Sequence, residues 1–329
     1  HFAGLVMTIY ADGFWALLLS TFLIGFANGS VEAGCNPLIA EMYPKNKTTM
    51  LNRFHVWFPG GIVIGALASS AMTSSGFNWQ WQVGLIIIPT IIYGLMMFKA
   101  QFPQFDTRTH STLSNLKHLF SPVYLFLVVC MTLTATTELG TQQWIERILG
   151  ASGASPMMIL ALIAGLMAVG RFFAGPIMHK FNPTGVLLGS ALCATAGIFV
   201  MSQATGSMVY VVAVLFAIGV TYFWPTMLGC VAEYTPKTGA LGMSLIGGAG
   251  MFAVSLWNPV IGSWIDAART QAQAANIDGQ QADLLAGQAV LGNILLFPAI
   301  LIFAFLGFYF YNKNNKGAPT HAQVATSKE

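Results

Sequence analysis

The feature that most constrains this chain is a series of nine apolar stretches, each close to 20 residues long or longer, separated by polar segments. A helix rises about 1.5 Å per residue, so about 20 residues cross the hydrocarbon layer of a bilayer. We therefore predict nine membrane-spanning helices, over residues 14–42, 51–73, 79–99, 122–145, 156–179, 185–203, 208–233, 241–265 and 287–311. Residues 1–10 are apolar too but cover only half a span, so we expect the sequence to be a fragment that starts within a helix.

Charged residues make up only 8% of the 329 residues, whereas hydrophobic residues make up 55%. Soluble domains carry about 25% charged residues, because water must solvate their surface. The four cysteines lie in apolar stretches without the spacing of metal ligands, so we expect neither a metal nor a cofactor. A phosphate-binding Gly-Lys-Ser/Thr loop is missing from the sequence, and it also lacks clustered ionisable groups, which argues against an ATPase or a membrane enzyme. We expect the lipid bilayer as a partner and no nucleic acid.

The distribution of basic residues predicts the orientation. When the nine spans are counted along the chain, 12 of the 14 Lys and Arg residues fall on one side. Cytoplasmic loops are enriched in these residues, so this side and the C-terminus are predicted to be cytoplasmic. We predict an N-terminal part over residues 1–100, a cytoplasmic linker over 101–121, a six-helix part over 122–311 and a disordered tail over 312–329.

An internal repeat supports this division. Ala40-Glu41-Met42-Tyr43-Pro44-Lys45 closes one predicted span, and Ala232-Glu233-Tyr234-Thr235-Pro236-Lys237 closes another span 192 residues later. Both windows follow a proline within the preceding span. Two unrelated helix ends with proline stops are the alternative. If the repeat is real, about two and a half spans precede the sequence, and the intact protein has two halves of six helices.

Three short motifs carry a family resemblance. Residues 25–37, GFANGSVEAGCNP, contain a glutamate that precedes an Asn-Pro pair by four residues; Leu51-Asn52 opens the next span; and Gly170-Arg171 is followed by Gly175-Pro176. Together with the repeat, these motifs resemble the major facilitator superfamily. The first motif resembles its fucose permease branch of sugar–proton symporters.

The resemblance implies an all-α membrane bundle with two pseudo-symmetric six-helix halves, of which the first two to three helices are missing here. It also implies a monomer that moves a small solute and protons. We expect this monomer in the plasma membrane, namely a bacterial inner membrane. His55 and Phe58 stand where the branch commonly carries Gln and Asn, and His179 replaces a usual acidic residue. We therefore expect a sugar or a similar small polar solute rather than fucose itself.

Glu32 is the first candidate for proton coupling. Gly25, Gly29, Glu32 and Asn36 recur at helical spacing and share one face of their span. We expect the glycines to admit a neighbouring helix, so that this face points into the bundle. A carboxyl group held there can gain and lose a proton near neutral pH. The resemblance implies the same role for Glu32, whereas a permanently protonated structural acid is the alternative.

Glu138 is the second candidate, because it lies in a polar stripe with Thr134, Thr141 and Gln142 in an otherwise apolar span. A helix–helix hydrogen bond is the alternative interpretation. Ring-stacking and hydrogen-bonding side chains suit a sugar, although aromatic residues in membrane helices more often pack. The predicted solute-binding residues are Asn36, His55, Gln142, Trp144, Tyr222, Trp224, Trp257 and Asn258.

Arg171 is expected to act as a structural or gating residue at the cytoplasmic ends of helices. It is predicted to bind carbonyl groups or acids there, with Glu41 and Glu233 as partners of that kind. His55 belongs to the solute site, contacts Glu32, or lies near the cytoplasmic surface. The sequence thus predicts a secondary active transporter that works by alternating access, with proton-coupled symport. An uncoupled facilitator or exporter and a nontransporting sensor are the alternatives.

Overall fold

The computed structural model describes residues 1–103, 112–277 and 279–314, with the side chains of residues 112–114 excepted. These residues form α-helices joined by short connections, with no strand among them. The helices are α1 (Phe2–Ile9), α2 (Phe14–Met42), α3 (Lys47–Phe54), α4 (Trp57–Ser74), α5 (Trp79–Leu85), α6 (Ile87–Lys99), α7 (Thr112–His118), α8 (Pro122–Ala135), α9 (Thr141–Gln143), α10 (Ile145–Leu149), α11 (Pro156–Phe172), α12 (Ala174–Met201), α13 (Met208–Val220), α14 (Phe223–Tyr234), α15 (Gly239–Ala274), α16 (Gly279–Ile294) and α17 (Leu296–Asn314).

Eight helical segments of the described chain are long and apolar enough to cross a membrane. They correspond to eight of the nine predicted spans. The remaining one, predicted over 156–179, corresponds to α11, which ends at Phe172 after 17 residues, together with the first turns of α12. The chain continues into α12 and changes direction at Asn182, whose φ is +55°. Asparagine tolerates this left-handed conformation better than most residues, and Pro183 follows it.

Prolines divide several of the spans into two helices. A proline has no N–H to donate to the carbonyl four residues earlier, and its ring clashes with that carbonyl. Breaks in the described helices lie three or four residues before a proline at α3/α4, α5/α6, α13/α14 and α16/α17, where the prolines are Pro59, Pro89, Pro225 and Pro298.

We call residues 1–103 the N-terminal bundle and residues 112–314 the C-terminal bundle. The apolar core lies mainly in the C-terminal bundle, where side chains such as Leu127, Ile163 and Phe216 are fully buried. Large apolar side chains also cover the outer surface; Phe98, for example, is 92% exposed. A surface of this kind is compatible with lipid and not with water.

Helix ends in the two bundles follow the spacing of the sequence repeat. Helix α2 ends at Met42 and α14 at Tyr234, 192 residues apart, and α3 and α15 begin at the same offset. Part of the predicted linker forms α7, which contacts α15, whereas residues 104–111 lie outside the described residues. The predicted disordered tail is wrong at its start, because α17 continues to Asn314; residues 315–329 lie outside the described residues.

Candidate functional site

The candidate site lies where the two bundles meet. Helix α2 packs against α15, α3 against α14, and α4 against α11. The hydrogen bonds between the bundles, within the described residues, join residues 33–55 to residues 171–244. They lie toward the end of the molecule that carries Lys45, Lys47 and Arg53, which we call the basic end. In this conformation the bundles are therefore tied together at the basic end.

Glu233 of α14 forms the most direct of these ties. Its Oε1 accepts hydrogen bonds from the Thr48 backbone N–H, at 3.3 Å, and from the Thr48 hydroxyl, at 2.6 Å. Thr48 lies in the first turn of α3, where backbone N–H groups have no helical acceptor and the helix dipole favours a carboxylate. The Lys47 ammonium donates to the Ala232 carbonyl at 3.1 Å. Glu233 of one bundle thus caps a helix of the other.

Arg171 lies deeper in the same interface. Its side chain is fully buried and forms an ion pair with Glu138, with 2.9 Å between Nη2 and Oε1. Its Nε donates to the Thr221 carbonyl at 2.7 Å, and its Nη1 donates to the His55 carbonyl at 3.3 Å. Arg171 therefore binds two carbonyl groups, as predicted, and an acid as well.

The prediction that Glu41 and Glu233 are the acidic partners of Arg171 is wrong. Side chains on an α-helix lean toward its N-terminus, and Arg171 is in the last turn of α11. The guanidinium is thus directed back toward the centre of the span rather than toward the helix end. Glu138 lies there, Glu233 binds Thr48, and Glu41 is exposed.

Glu138 is held by an irregular part of its span. Residues Thr136–Gly140 form a π-helical turn between α8 and α9. Single π-helical turns within α-helices are frequent at functional sites. The Glu138 side chain is 1% exposed, lies near the backbone N–H of Trp224, and leaves Oε2 without a hydrogen-bond partner. The predicted polar stripe is buried along its whole length, and the Gln142 amide contacts the Met167 sulfur at 3.5 Å.

Glu32 lies on the α2 face that meets the C-terminal bundle. A Cβ atom added to Gly247 of α15 would lie 3.8 Å from Glu32 Oε2 and 4.0 Å from the Trp224 ring. The half-buried Glu32 carboxyl group interacts with the Asn36 side-chain amide and with the charge of Arg171. The acid, its amide neighbour and the Trp224 indole therefore lie close together at the interface.

The expected close approach at Gly25 and Gly29 is wrong. A Cβ added at either position would meet open space. Helix α1 packs against α2 through its own glycine, because a Cβ on Gly4 would lie 2.7 Å from Ile24. Contact with α15 occurs further along α2, where the Ser244 hydroxyl donates to the Ala33 carbonyl at 3.4 Å. Glu32 reaches the interface because it lies near this crossing.

Asn52 and His55 of the N-terminal bundle also face the interface. The Asn52 amide donates to the Thr48 carbonyl at 2.9 Å and to the Thr226 hydroxyl at 3.3 Å. His55 is buried, and its Nδ1 bonds the Leu51 carbonyl at 2.9 Å. Of the predicted alternatives for His55, the structure favours a position among the interface residues, where its backbone carbonyl contacts Arg171.

The predicted aromatic residues separate into two groups. The Trp144 indole N–H donates to Asn258 Oδ1 at 3.2 Å, and the Asn258 amide donates to Gln143 Oε1 at 2.6 Å. Trp257 packs against Phe297, with ring centroids 4.7 Å apart. Tyr222 donates its hydroxyl to the Gly170 carbonyl at 3.0 Å. Trp257 therefore packs against another ring and Tyr222 is bound to a backbone carbonyl, whereas Trp144 and Asn258 form a small polar cluster.

Five buried polar atoms of the interface have no hydrogen-bond partner in the structure. Three are oxygen acceptors, one is an indole N–H donor, and one is an imidazole nitrogen: Asn36 Oδ1, Asn52 Oδ1, Glu138 Oε2, Trp224 Nε1 and His55 Nε2. Unpaired buried polar atoms are costly, so such a cluster indicates a function beyond packing. Both acceptors and donors are available, which suits hydroxyl groups, since each hydroxyl can donate and accept.

The sequence indicated most of these residues and the binding of Arg171 to carbonyl groups, but not which carbonyls and which acid it binds. The carbonyls of His55 and Thr221 each precede a proline by four residues, namely Pro59 and Pro225. That spacing was a usable signal, because such carbonyls lack their helical donor. The close approach of Gly229 to Thr48 carried no comparable signal in the sequence.

Comparisons with known proteins find similarity to membrane transporters. Similar curated proteins include a D-xylose transporter of Levilactobacillus brevis, 25% identical over 92 residues, which are 28% of this chain and 20% of that protein. The galactose-proton symporter of Escherichia coli K12 is 29% identical over 97 residues, covering 29% of this chain and 21% of that protein. A sphingosine-1-phosphate transporter of Xenopus tropicalis is 27% identical over 85 residues, covering 26% and 17%. The chain therefore matches only about a fifth of the length of these relatives.

The fold is similar to that of the E. coli fucose:proton symporter. The TM-score is 0.62 at 16% sequence identity, and the match covers 91% of this chain and 81% of that structure. The family model of the Major Facilitator Superfamily matches residues 2–258. With its helical bundle and buried polar interface, the chain belongs to the major facilitator superfamily of membrane transporters.

Proposed function

We propose that the protein is a proton-coupled symporter that moves a sugar or a similar small polyhydroxylated solute by alternating access. The observation that carries this proposal is the set of unpaired polar atoms at the interface of the two bundles, two of which belong to Asn36 and Trp224, close to Glu32. Two of the relatives are named for a sugar, and one of them for proton symport, which supports the same solute class. The division into two pseudo-symmetric halves and the cytoplasmic C-terminus remain part of the proposal.

Glu32 is the proposed proton carrier. Ionisable side chains within a membrane span are costly and therefore functional by default. A neutral Glu32 fits the closed interface, whereas an ionised Glu32 favours an arrangement in which water reaches it. The proton on Glu32 thereby biases the equilibrium between the two conformations. Glu138 is less suited to this role than expected, because Arg171 binds its carboxylate at 2.9 Å and stabilises the charged form.

The unpaired atoms are the proposed solute contacts. Asn36, Asn52 and Glu138 offer acceptors, and Trp224 offers a donor. All of them are buried in this conformation, so a solute reaches them only when the bundles rearrange. That requirement matches alternating access around a site between two bundles. The Trp144 and Asn258 pair is the proposed second group of contacts, further toward the end opposite the basic end.

The test uses the complete protein in proteoliposomes, with a panel of labelled sugars offered with and without an inward proton gradient. We expect the gradient to drive accumulation of at least one sugar in the wild type. Glu32→Gln should abolish gradient-driven accumulation but retain exchange of internal for external sugar. Asp12→Asn is the matched control, because Asp12 is an acid outside the helices of the described chain. Uptake that ignores the gradient in both wild type and Glu32→Gln would remove the symport proposal.

A lipid-like solute is the second candidate, since sphingosine-1-phosphate transporters are among the relatives. The same liposomes distinguish the two solute classes. Efflux of a labelled lysolipid without sugar uptake would favour this candidate and an exporter. The polar character of the unpaired atoms favours the sugar.

A further inference from the structure

The guanidinium of Arg171 binds groups from both bundles. Glu138 and the Thr221 carbonyl belong to the C-terminal bundle, as Arg171 itself does, whereas the His55 carbonyl belongs to the N-terminal bundle. The side chain is 0% exposed, so each contact forms in a region without solvent. Hydrogen bonds with a charged donor are stronger than neutral ones and gain further strength in such surroundings.

Both carbonyl groups are available because of prolines. In a regular helix the His55 carbonyl would accept from residue 59 and the Thr221 carbonyl from residue 225, but both of these residues are proline. The helices break at the same places: α3 ends at Phe54, and α13 ends at Val220. One proline in each bundle therefore prepares an acceptor for the same guanidinium.

The three contacts are not equivalent when the bundles move apart. The Glu138 and Thr221 contacts lie within the C-terminal bundle and remain possible after separation at the basic end. Only the His55 contact must break. A buried arginine without an anion would oppose any such movement strongly. Because Glu138 stays with Arg171, the charge remains paired, and the two arrangements can be close in free energy.

We propose that Arg171 is a positioning residue that holds the basic end closed by binding the proline-freed carbonyl of His55, and that it releases this carbonyl when the basic end opens. The proposal rests on alternating access as the proposed function. It assigns Pro59 a role as well, since this proline keeps the His55 carbonyl free of a helical donor. Arg171 contacts no solute in this role.

The test measures the distance between the bundles at the basic end. Lys45→Cys and Lys237→Cys place one spin label on an exposed position of each bundle, in the complete protein with all of its native cysteines replaced. Pro59→Ala supplies an N–H that competes with Arg171 for the His55 carbonyl. We expect the ratio of molecules with an open basic end to molecules with a closed one to rise about tenfold. This factor corresponds to the free energy of one charge-assisted hydrogen bond. Arg171→Lys, which keeps the charge beside Glu138, should shift the ratio in the same direction.

Pro89→Ala is the matched control. Pro89 also breaks a span, but the carbonyl that it frees, on Leu85, is not bound by the other bundle within the described residues. It should leave the distance distribution unchanged. Sugar affinity, measured by calorimetry, should rise in Pro59→Ala by no more than this tenfold factor, since no solute contact is removed and only the population of the open arrangement changes. A distance distribution in Pro59→Ala that equals that of the wild type would overturn the proposal, even if Arg171→Lys fails to fold. These distances need no solute, so they remain decisive if the symport proposal fails.

Discussion

Gly229 offers a sharp test of how closely the bundles meet at the basic end. A Cβ atom added to this α14 residue would lie 2.7 Å from both Cβ and Cγ2 of Thr48 and would also overlap the Thr48 hydroxyl. Real Cβ atoms do not approach other atoms so closely. Thr48 cannot turn aside easily, because its branched side chain has few rotamers and its hydroxyl is bound to Glu233 at 2.6 Å. Gly229→Ala must therefore push α3 away from α14.

The magnitude follows from the size of this overlap. Adding one methyl group to a well-packed contact costs about 1–3 kcal/mol. Here the cost falls on the closed basic end and is relieved when the bundles separate. The ratio of open to closed molecules should thus rise by about 5- to 150-fold. Spin labels at Lys45→Cys and Lys237→Cys would report this change as a longer distance between the bundles.

Gly165→Ala is the control for this measurement. Gly165 of α11 also faces the N-terminal bundle, but its added Cβ would lie 3.8 Å from Val63, an ordinary contact. This variant should keep the distances of the wild type. If Gly229→Ala folds and its distances match those of Gly165→Ala, the proposed contact between Gly229 and Thr48 does not hold the basic end closed.

Three further substitutions test other parts of the structure. Glu233→Gln should raise the ratio of open to closed basic end about two- to fivefold, because a charge at a helix N-terminus is worth about 0.3–1 kcal/mol. Glu41→Gln, at the exposed position that matches it in the repeat, should leave the ratio unchanged. The accessibility of a cysteine at the basic end to a thiol reagent would measure both effects. Trp144→Phe should raise the KM for sugar uptake a few-fold with little change in kcat, since it removes one hydrogen bond of about 1 kcal/mol to Asn258. An equal loss in kcat would contradict the proposed role of Trp144 and Asn258 in solute binding. Gly219→Ala should lower the free energy of unfolding by about 1–3 kcal/mol, because its Cβ would lie 2.6 Å from the Cα of Ala194. Gly189→Ala is the control: it adds a Cβ in open space and should be neutral in the same melting assay.

The membrane-spanning helices were predictable because their signal is local. About 20 consecutive apolar residues suffice to define a span, and basic residues mark one end. The repeat windows that end at Lys45 and Lys237 predicted helix ends at the observed spacing. The direction change at Asn182 also lies where a break was predicted, between the spans over 156–179 and 185–203.

The contacts between the bundles were less predictable, because they depend on residues far apart in sequence. Glu32, Glu138 and Arg171 were all recognised as unusual charges, but their pairing was not. Arg171 binds Glu138, 33 residues away, and the His55 carbonyl, 116 residues away. Glycines gave a misleading signal in α2, because Gly29 has open space around it while Gly229 makes the close contact. Small residues permit a close approach but do not identify which helix makes it.

Proton uptake on solute binding tests the proposed role of Glu32 most directly. The purified protein in weakly buffered detergent solution near neutral pH would be mixed with the transported sugar in the presence of a pH indicator dye. We expect the wild type to take up protons when it binds sugar, and Glu32→Gln to bind sugar with no change in solution pH. Equal proton uptake by the two proteins would contradict Glu32 as the proton carrier.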